Sequence, residues 1–359
     1  MATNIFDLEL TEKQLKAGVN TIDTSDLNRQ VAARGEFIQT EVDRMLQGVA
    51  QPVVSEAKMV DVSTPANAMK KLGEFGLKKS EGERSVVEIN FPLWKWGYNT
   101  GWTEDFLLQA SVGDFRKSVL DAEYSYSLSL QDEIKAAMYN SVRREFDDRF
   151  DTKRTGLIGY PFYNADGQTI PANRAGTTFT ASTHQHYNGT SGTSTSIYDI
   201  DTLLISNVTE HDNVQGIALF MPQALVATLS GIASTKFVAV DRPNVVYSDA
   251  ANHSAFVDNL EADAANKLVG HWDGYPVFVR SWCPANIIAC VATGAPEKAL
   301  GFREPTWFNG MRPLAAIRDN VLSAQEWRAY FGMAANNRGA ASFLDTATQT
   351  TYSVPTLVL

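Results

Sequence analysis

His184-Gln185-His186 sets two imidazoles two residues apart, and neutral imidazole nitrogen is a ligand for zinc and related metals. With no third ligand close by in sequence, the pair reads as two polar residues of a loop, and no metal site is expected. Cys283 and Cys290 lie in an apolar segment with no CxxC spacing, so they read as buried small residues, not as a zinc or redox pair. His271-Trp272-Asp273 sits at the entry to a strand, where a satisfied structural histidine is the expected role. Asp147-Asp148 lies on what reads as the exposed part of a helix, where solvated charge is the default. The five histidines (184, 186, 211, 253 and 271) are scattered. No GxGxxG, GxxxxGK[ST], GxSxG or HExxH motif occurs. An enzyme reading would therefore rest on chain size alone, and no catalytic residue, cofactor or metal is expected.

Composition points the same way. At 359 residues, with 44% hydrophobic and 20% charged positions, the chain can bury one large or two moderate cores. Thirty-one Lys and Arg against 41 Asp and Glu leave a net charge of −10, the wrong sign for a surface that grips phosphates. No apolar run approaches the roughly 20 residues of a membrane helix, and the first residues lack the basic and apolar regions of a signal peptide. The expectation is a globular protein made in the cytosol, with no membrane partner.

The element that must position everything else is the stretch from Asp114 to Phe150, free of Gly and Pro. Its apolar residues, from Phe115 and Val119 through Leu130 and Ile134 to Val142 and Phe146, recur every three or four positions. This predicts one continuous helix with Asp114 as N-cap, on the order of 55 Å long at about 1.5 Å per residue. Its mixed-sign polar positions do not form e/g ladders, so a strut packed against other layers is the better reading than a coiled coil.

Residues 1–55 read as an arm whose apolar residues, among them Phe6, Leu8, Phe37 and Leu46, need another surface. Residues 56–103 read as a two-stranded excursion with a Gly- and charge-rich tip at 73–83. A lone ribbon is marginal in water, so it should rest on a neighbouring subunit. Trp94, Trp96, Tyr98 and Trp102 crowd its root, as core or as interface. Residues 151–198 read as short strands and loops. From about 196 to 291 the pattern is a compact α/β unit: a helix over 199–208, a buried strand over 216–221, a helix over 222–230, and strands near 244–247, 275–280 and 287–292. Residues 300–345 return as strands.

That order of elements, together with three segments near the C-terminus, resembles the major capsid proteins of tailed bacteriophages, the fold named after phage Hong Kong ninety-seven. The segments are GYPVFVRSWCP (274–284), GAPEKALGFREP (294–305) and EWRAYFGMAANNRGAA (326–341). The resemblance implies an α+β capsid fold: an N-terminal arm (1–55), an extended β-hairpin loop (56–103), a peripheral domain (104–195) with its spine helix at 114–150, an axial domain (196–299), and a return to the peripheral domain (300–359). It implies a non-enzymatic shell subunit of an icosahedral head, enclosing double-stranded DNA without sequence-specific binding. Pentamers and hexamers of itself are the first partners. A separate scaffolding protein, a portal and decoration proteins would be the others, because the arm is short for a built-in scaffold. Lys78, Lys79, Trp94, Trp96, Asn336, Asn337 and Arg338 are the interface candidates. A covalent bond from a tip lysine to Asn336 or Asn337, as in one lineage, is the less expected outcome. An encapsulin-like compartment around a cargo enzyme is the alternative that the same fold allows.

Overall fold

The computed structural model describes residues 42, 45–61, 86–103, 111–148, 150, 154–173, 175–212, 214, 216–232, 236–239, 267–318 and 322–356. Most of the arm, the ribbon tip with Lys78 and Lys79, the strand expected at 244–247 and His253 lie outside the described residues.

In chain order the strands begin with β1 (Ala50–Val53), β2 (Ala57–Asp61), β3 (Val86–Asn90) and β4 (Trp94–Thr103). Helix α1 (Val112–Met138) follows, then β5 (Arg144–Phe146), β6 (Leu157–Gly159) and β7 (Tyr187–Thr190). Next come α2 (Asp199–Ser206), wound in wide π-type turns and continued by one α-turn over Asn207–Thr209, then β8 (Ile217–Met221), α3 (Val226–Ile232) and β9 (Phe237–Ala239). The chain then runs through β10 (Lys267–Trp272), β11 (Tyr275–Val279), β12 (Ile287–Ala292), β13 (Leu300–Arg303), β14 (Arg312–Arg318), β15 (Leu322–Ala335) and β16 (Ala341–Gln349).

The long helix exists, but its ends differ from the expectation. Its N-cap is Ser111, and Asp114 is the third helical residue of a capping box: the Asp114 amide donates to Ser111 Oγ (3.2 Å) and the Ser111 amide to Asp114 Oδ2 (3.1 Å). Val119, Ala122, Tyr126, Leu130, Ile134 and Met138 are buried along one face, as the spacing requires. The helix stops at Met138, not at Phe150, and so spans about 40 Å at 1.5 Å per residue. Apolar spacing continues past that point only in the sequence, since Val142 is 61% exposed and Phe146 is buried within β5, paired to β6. The stop is built from distant residues. Tyr187 Oη donates to the carbonyls of Met138 (3.0 Å) and Asn140 (3.2 Å), and Tyr352 Oη donates to that of Tyr139 (2.9 Å). These hydroxyls satisfy the carbonyls that a longer helix would have bonded internally, and Asn140 Oδ1 takes the Val142 amide to turn the chain. Asp147-Asp148 consequently lies beyond the helix. Asp148 is buried against Arg303 (2.7 Å) and is not a solvated charge.

Two sheets flank the helix. One has the order β1-β13-β15-β14, with β4 also pairing β15; the other runs β7-β16-β12-β8-β11-β10-β9. The excursion expected over 56–103 is a ribbon only as far as β2 and β3, which pair from Ala57↔Asn90 to Asp61↔Val86. The chain then leaves it, and β4 pairs β15 from Thr103↔Leu322 to Trp94↔Phe331. The α/β unit expected at 196–299 provides β8–β12, and its sheet is completed from outside that range by β7 and by β16, which pairs β12 from Ile287↔Asp345 to Val291↔Ala341. β8 and β12 are buried along their whole length, as central strands covered on both faces must be. One continuous apolar core joins α1 to both sheets, and the free Cys283 and Cys290 lie inside it. Burial pushes the Cys283 thiol up to about 12 and raises that of Cys290 as well, so both are inert packing residues.

Candidate functional site

The ribbon root is held by charge. Arg154 reaches Glu56 Oε1 (2.8 Å) just before β2 and Glu88 Oε1 (2.6 Å) in β3, so one guanidinium grips both arms. Arg303, buried, donates to the Phe91 carbonyl (2.9 Å) and Asp148 Oδ2 (2.7 Å) just beyond the ribbon. A hydrogen bond from its own backbone amide, then Arg154, hold the Glu56 carboxyl below the usual carboxylate range. Lys58 in β2 pairs with Glu297 (2.8 Å) and donates to Asn336 Oδ1 (3.0 Å), which ties the ribbon to the turn after β15.

Five of the interface candidates lie among the described residues. Trp94 donates Nε1–H to Glu133 Oε1 (3.2 Å), and Trp96 stacks on Phe331 at 5.1 Å while donating to its carbonyl. Both are half-buried and packed within the chain. Asn336 is buried, its Nδ2 donating to the Lys298 carbonyl (3.1 Å). Asn337 Oδ1 accepts the Gly339 amide (3.2 Å). Arg338, also buried, donates to the Pro161 carbonyl (2.7 Å), pairs with Asp166 and lies over the rings of Tyr160 and Tyr163. The structure therefore gathers Asn336, Asn337 and Arg338 in one turn, where each bonds within its own chain.

The exposed apolar groups lie elsewhere. Trp307, 60% exposed, meets Phe150 at 5.5 Å, Tyr330 at 5.5 Å and Phe308 at 5.9 Å; Trp307 and Phe150 form the exposed edge of an aromatic cluster whose Tyr330 and Phe308 are buried. Tyr124 and Leu128 project from the outer face of α1, and Val54, Met59 and Val86 line the ribbon. Large exposed apolar side chains in groups mark contact surfaces. Sequence reasoning passed over Trp307 because an isolated tryptophan in a Pro-rich segment has no periodicity to place it.

The fold brings to His184 and His186 further side chains of the metal-ligand type that their own stretch of sequence lacks. His211 and Glu210, at the end of α2, come to them through the fold, and ligand atoms of all four residues lie within 4.8 Å of one another. The three Nε2 atoms are mutually 3.1 Å apart. Glu210 Oε1 is 3.6 Å from His184 Nε2. His186 is fully buried and its Nδ1 is 2.7 Å from the Ala341 carbonyl. Tyr163 and Phe179 wall the group, with Phe179 at 4.8 and 4.7 Å from His184 and His211. Burial is the main cause that lowers the pKa of all three imidazoles, that of His211 to about 3, and burial raises that of Glu210. The sequence signal that was available is that His211 closes the helix expected at 199–208, while its proximity to 184–186 is tertiary.

No protein-family model matches the sequence, and no curated protein sequence matches it. Among solved structures, a chain of Mycobacterium phage Patience superposes with a TM-score of 0.64 at 18% identity, covering 95% of this chain and 93% of that one. A chain from the capsid of a native GTA particle gives 0.49 at 14% identity, covering 85% and 90%. The SrpI encapsulin complex of Synechococcus elongatus gives 0.45 at 11% identity, covering 85% and 88%. The likeness to the phage chain bears out the α+β capsid fold that the resemblance implied.

Proposed function

We propose that this chain is the major capsid protein of a tailed phage, a subunit that assembles with copies of itself into the icosahedral shell around double-stranded DNA. The observation that carries this reading is the near end-to-end likeness to the phage chain, at a TM-score of 0.64. In this reading β2, β3 and the segment between them are the extended loop, α1 is the spine of the peripheral domain, and the seven-stranded sheet is the core of the axial domain. A shell repeats the same heterologous contacts around rings of five and six, so one subunit needs both a rigid frame and projecting parts that reach its neighbours. The frame is the helix with its two sheets; the ribbon and the open aromatic cluster around Trp307 are the parts that meet other copies.

The net charge of −10 fits a wall that encloses DNA by confinement and does not bind phosphates tightly. Scaffolding, portal and decoration proteins would be partners of the assembled shell, and the virion would be its location after assembly in the host cytoplasm. Catalysis has no part in the reading. Electron microscopy of the overexpressed full chain tests it: closed round shells are expected, alone or on co-expression with a scaffold from the neighbouring genes. Particles no larger than a small oligomer under both conditions would overturn it.

A further inference from the structure

We propose that His184, His186, His211 and Glu210 form a binding site for one zinc-class divalent metal ion. Three observations carry this, and none depends on the shell reading. The first is convergence. The three Nε2 atoms form a nearly equilateral triangle 3.1 Å on a side, while the ring centroids stand farther apart, at 5.0, 5.1 and 5.1 Å. The rings therefore splay outward from a common point at which their nitrogens aim. An ion with the usual zinc–imidazole distance of about 2.0–2.1 Å would sit roughly 1 Å off the plane of such a triangle, leaving a fourth tetrahedral position for a carboxylate oxygen. Glu210 can supply that oxygen: its Oε1 is 3.6 Å from His184 Nε2, and ligand atoms of all four residues lie within 4.8 Å of one another.

The second observation is a hydrogen-bonding conflict that no placement of protons on neutral rings resolves. The Ala341 carbonyl can only accept, so the 2.7 Å contact fixes the proton of neutral His186 on Nδ1 and leaves its Nε2 bare. Three mutual Nε2 contacts would need three hydrogens, and the Nε2 atoms of neutral His184 and His211 supply at most two. At least one of the three contacts then sets either two lone pairs or two N–H groups against each other at 3.1 Å. A cation that accepts all three lone pairs removes the conflict, with each imidazole carrying its proton on Nδ1.

The third is the surroundings. The His186 Nδ1–H to carbonyl bond is the outer-shell contact that orients a metal-bound imidazole. Phe179 and Tyr163 screen the group from water. Gly339 lets the chain pass close beside it, since a Cβ there would stand 3.0 Å from the His211 ring, tighter than ordinary contact. Nitrogen with one carboxylate suits zinc, cobalt or nickel, and not calcium or magnesium, which take oxygen. The ligands come from the lead-in to β7 and the end of α2, so a bound ion would fasten those two parts directly, and β16 through the Ala341 carbonyl that holds His186.

Metal analysis of the untagged full chain, dialysed after loading with zinc, is expected to give about one ion per chain. Loading with cobalt(II) instead should give the strong visible absorption of a tetrahedral site. His184→Ala should weaken binding by about 100-fold or more and abolish that absorption, as expected for loss of one of four ligands. Glu210→Gln, the gentler change at a partly exposed position, should weaken binding less and alter the cobalt spectrum. If His184→Ala does not fold, Glu210→Gln and the wild-type cobalt spectrum decide alone. A folded wild-type chain that retains less than a tenth of an ion, or an octahedral cobalt spectrum, overturns the proposal. So does binding that both variants leave unchanged.

Discussion

Glu133 is the residue whose loss should cost this fold most per atom removed. Its carboxylate is buried on the inner face of α1 and accepts from Arg144 Nη1 (3.1 Å) and Nη2 (3.3 Å), Trp94 Nε1 (3.2 Å) and the Met333 amide (3.1 Å). One side chain thereby joins the helix to β4, β5 and β15. Glu133→Ala leaves a guanidinium, an indole N–H and a backbone amide without their acceptor. Removing one member of a buried ion pair costs about 3–5 kcal/mol, and Arg144, with its side chain 16% exposed, falls at the lower end because it reaches some water. The orphaned Met333 amide adds about 1 kcal/mol, for a total of about 4 kcal/mol. With an unfolding entropy of about 2.1 cal/mol/K per residue, 359 residues turn this into a Tm lowered by about 5 °C. Calorimetry at matched assembly state measures it. Glu133→Gln keeps one acceptor oxygen and should lose about half as much. Burial raises the Glu133 carboxyl above the ordinary range against the opposing pull of Arg144. Arg144→Ala removes that pull and lifts it further. A carboxyl whose folded pKa is raised stabilises below its unfolded value of 4.5 and loses that contribution as pH rises through the folded value. The Tm deficit of Arg144→Ala should therefore shrink as pH falls towards 4.5. A Glu133→Ala shift under about 1 °C, or strict additivity of the two substitutions, would refute the reasoning.

Arg154→Ala should raise amide exchange in β2 and β3, read by mass spectrometry, while β8 and β12 keep their protection. The wild type should show the same loosening in acid: Glu56 is held below 4.5, so its contribution is present above that value and is lost as pH falls through the lower folded one. Leu130→Pro, at a fully buried position in mid-helix, removes a hydrogen bond and costs at least about 3 kcal/mol, and should abolish shell formation as judged by electron microscopy. Trp307→Ala should change the stability of the unassembled chain by no more than about 1 kcal/mol, since the ring is mostly in solvent, yet raise the protein concentration needed for assembly at least tenfold in light scattering.

Features written in local spacing were legible in the sequence, and features written in distant contacts were not. The stripe from Val119 to Met138, the buried run Ile217–Met221 and the helix after Pro222 all follow from periodicity or from a fixed backbone angle, and each stands where it was expected. The helix end did not follow, because it is set by hydroxyls of Tyr187 and Tyr352, one 49 residues and the other 213 residues away from the carbonyls they serve. Asn336 and Arg338 read as turn residues free to meet a neighbour, and their partners Lys58, Pro161 and Asp166 are likewise remote. His184 and His186 lacked a third ligand for the same reason, since Glu210 and His211 arrive only when α2 packs on β16.

These interactions also dictate where a chain of this design yields first. An exposed ion pair is worth at most about 1 kcal/mol, whereas breaking a buried one costs several. The ribbon is gripped by Arg154, Glu56 and Glu88, whose side chains are each about a third exposed, while the helix is attached through Glu133 and Arg144, which are largely closed to water. Strain applied to the ribbon should therefore open its root before the helix moves against the sheets. The proposed shell, with one chain in rings of five and of six, would need that order, because curvature must be absorbed at the contacts while the frame that sets their spacing stays fixed.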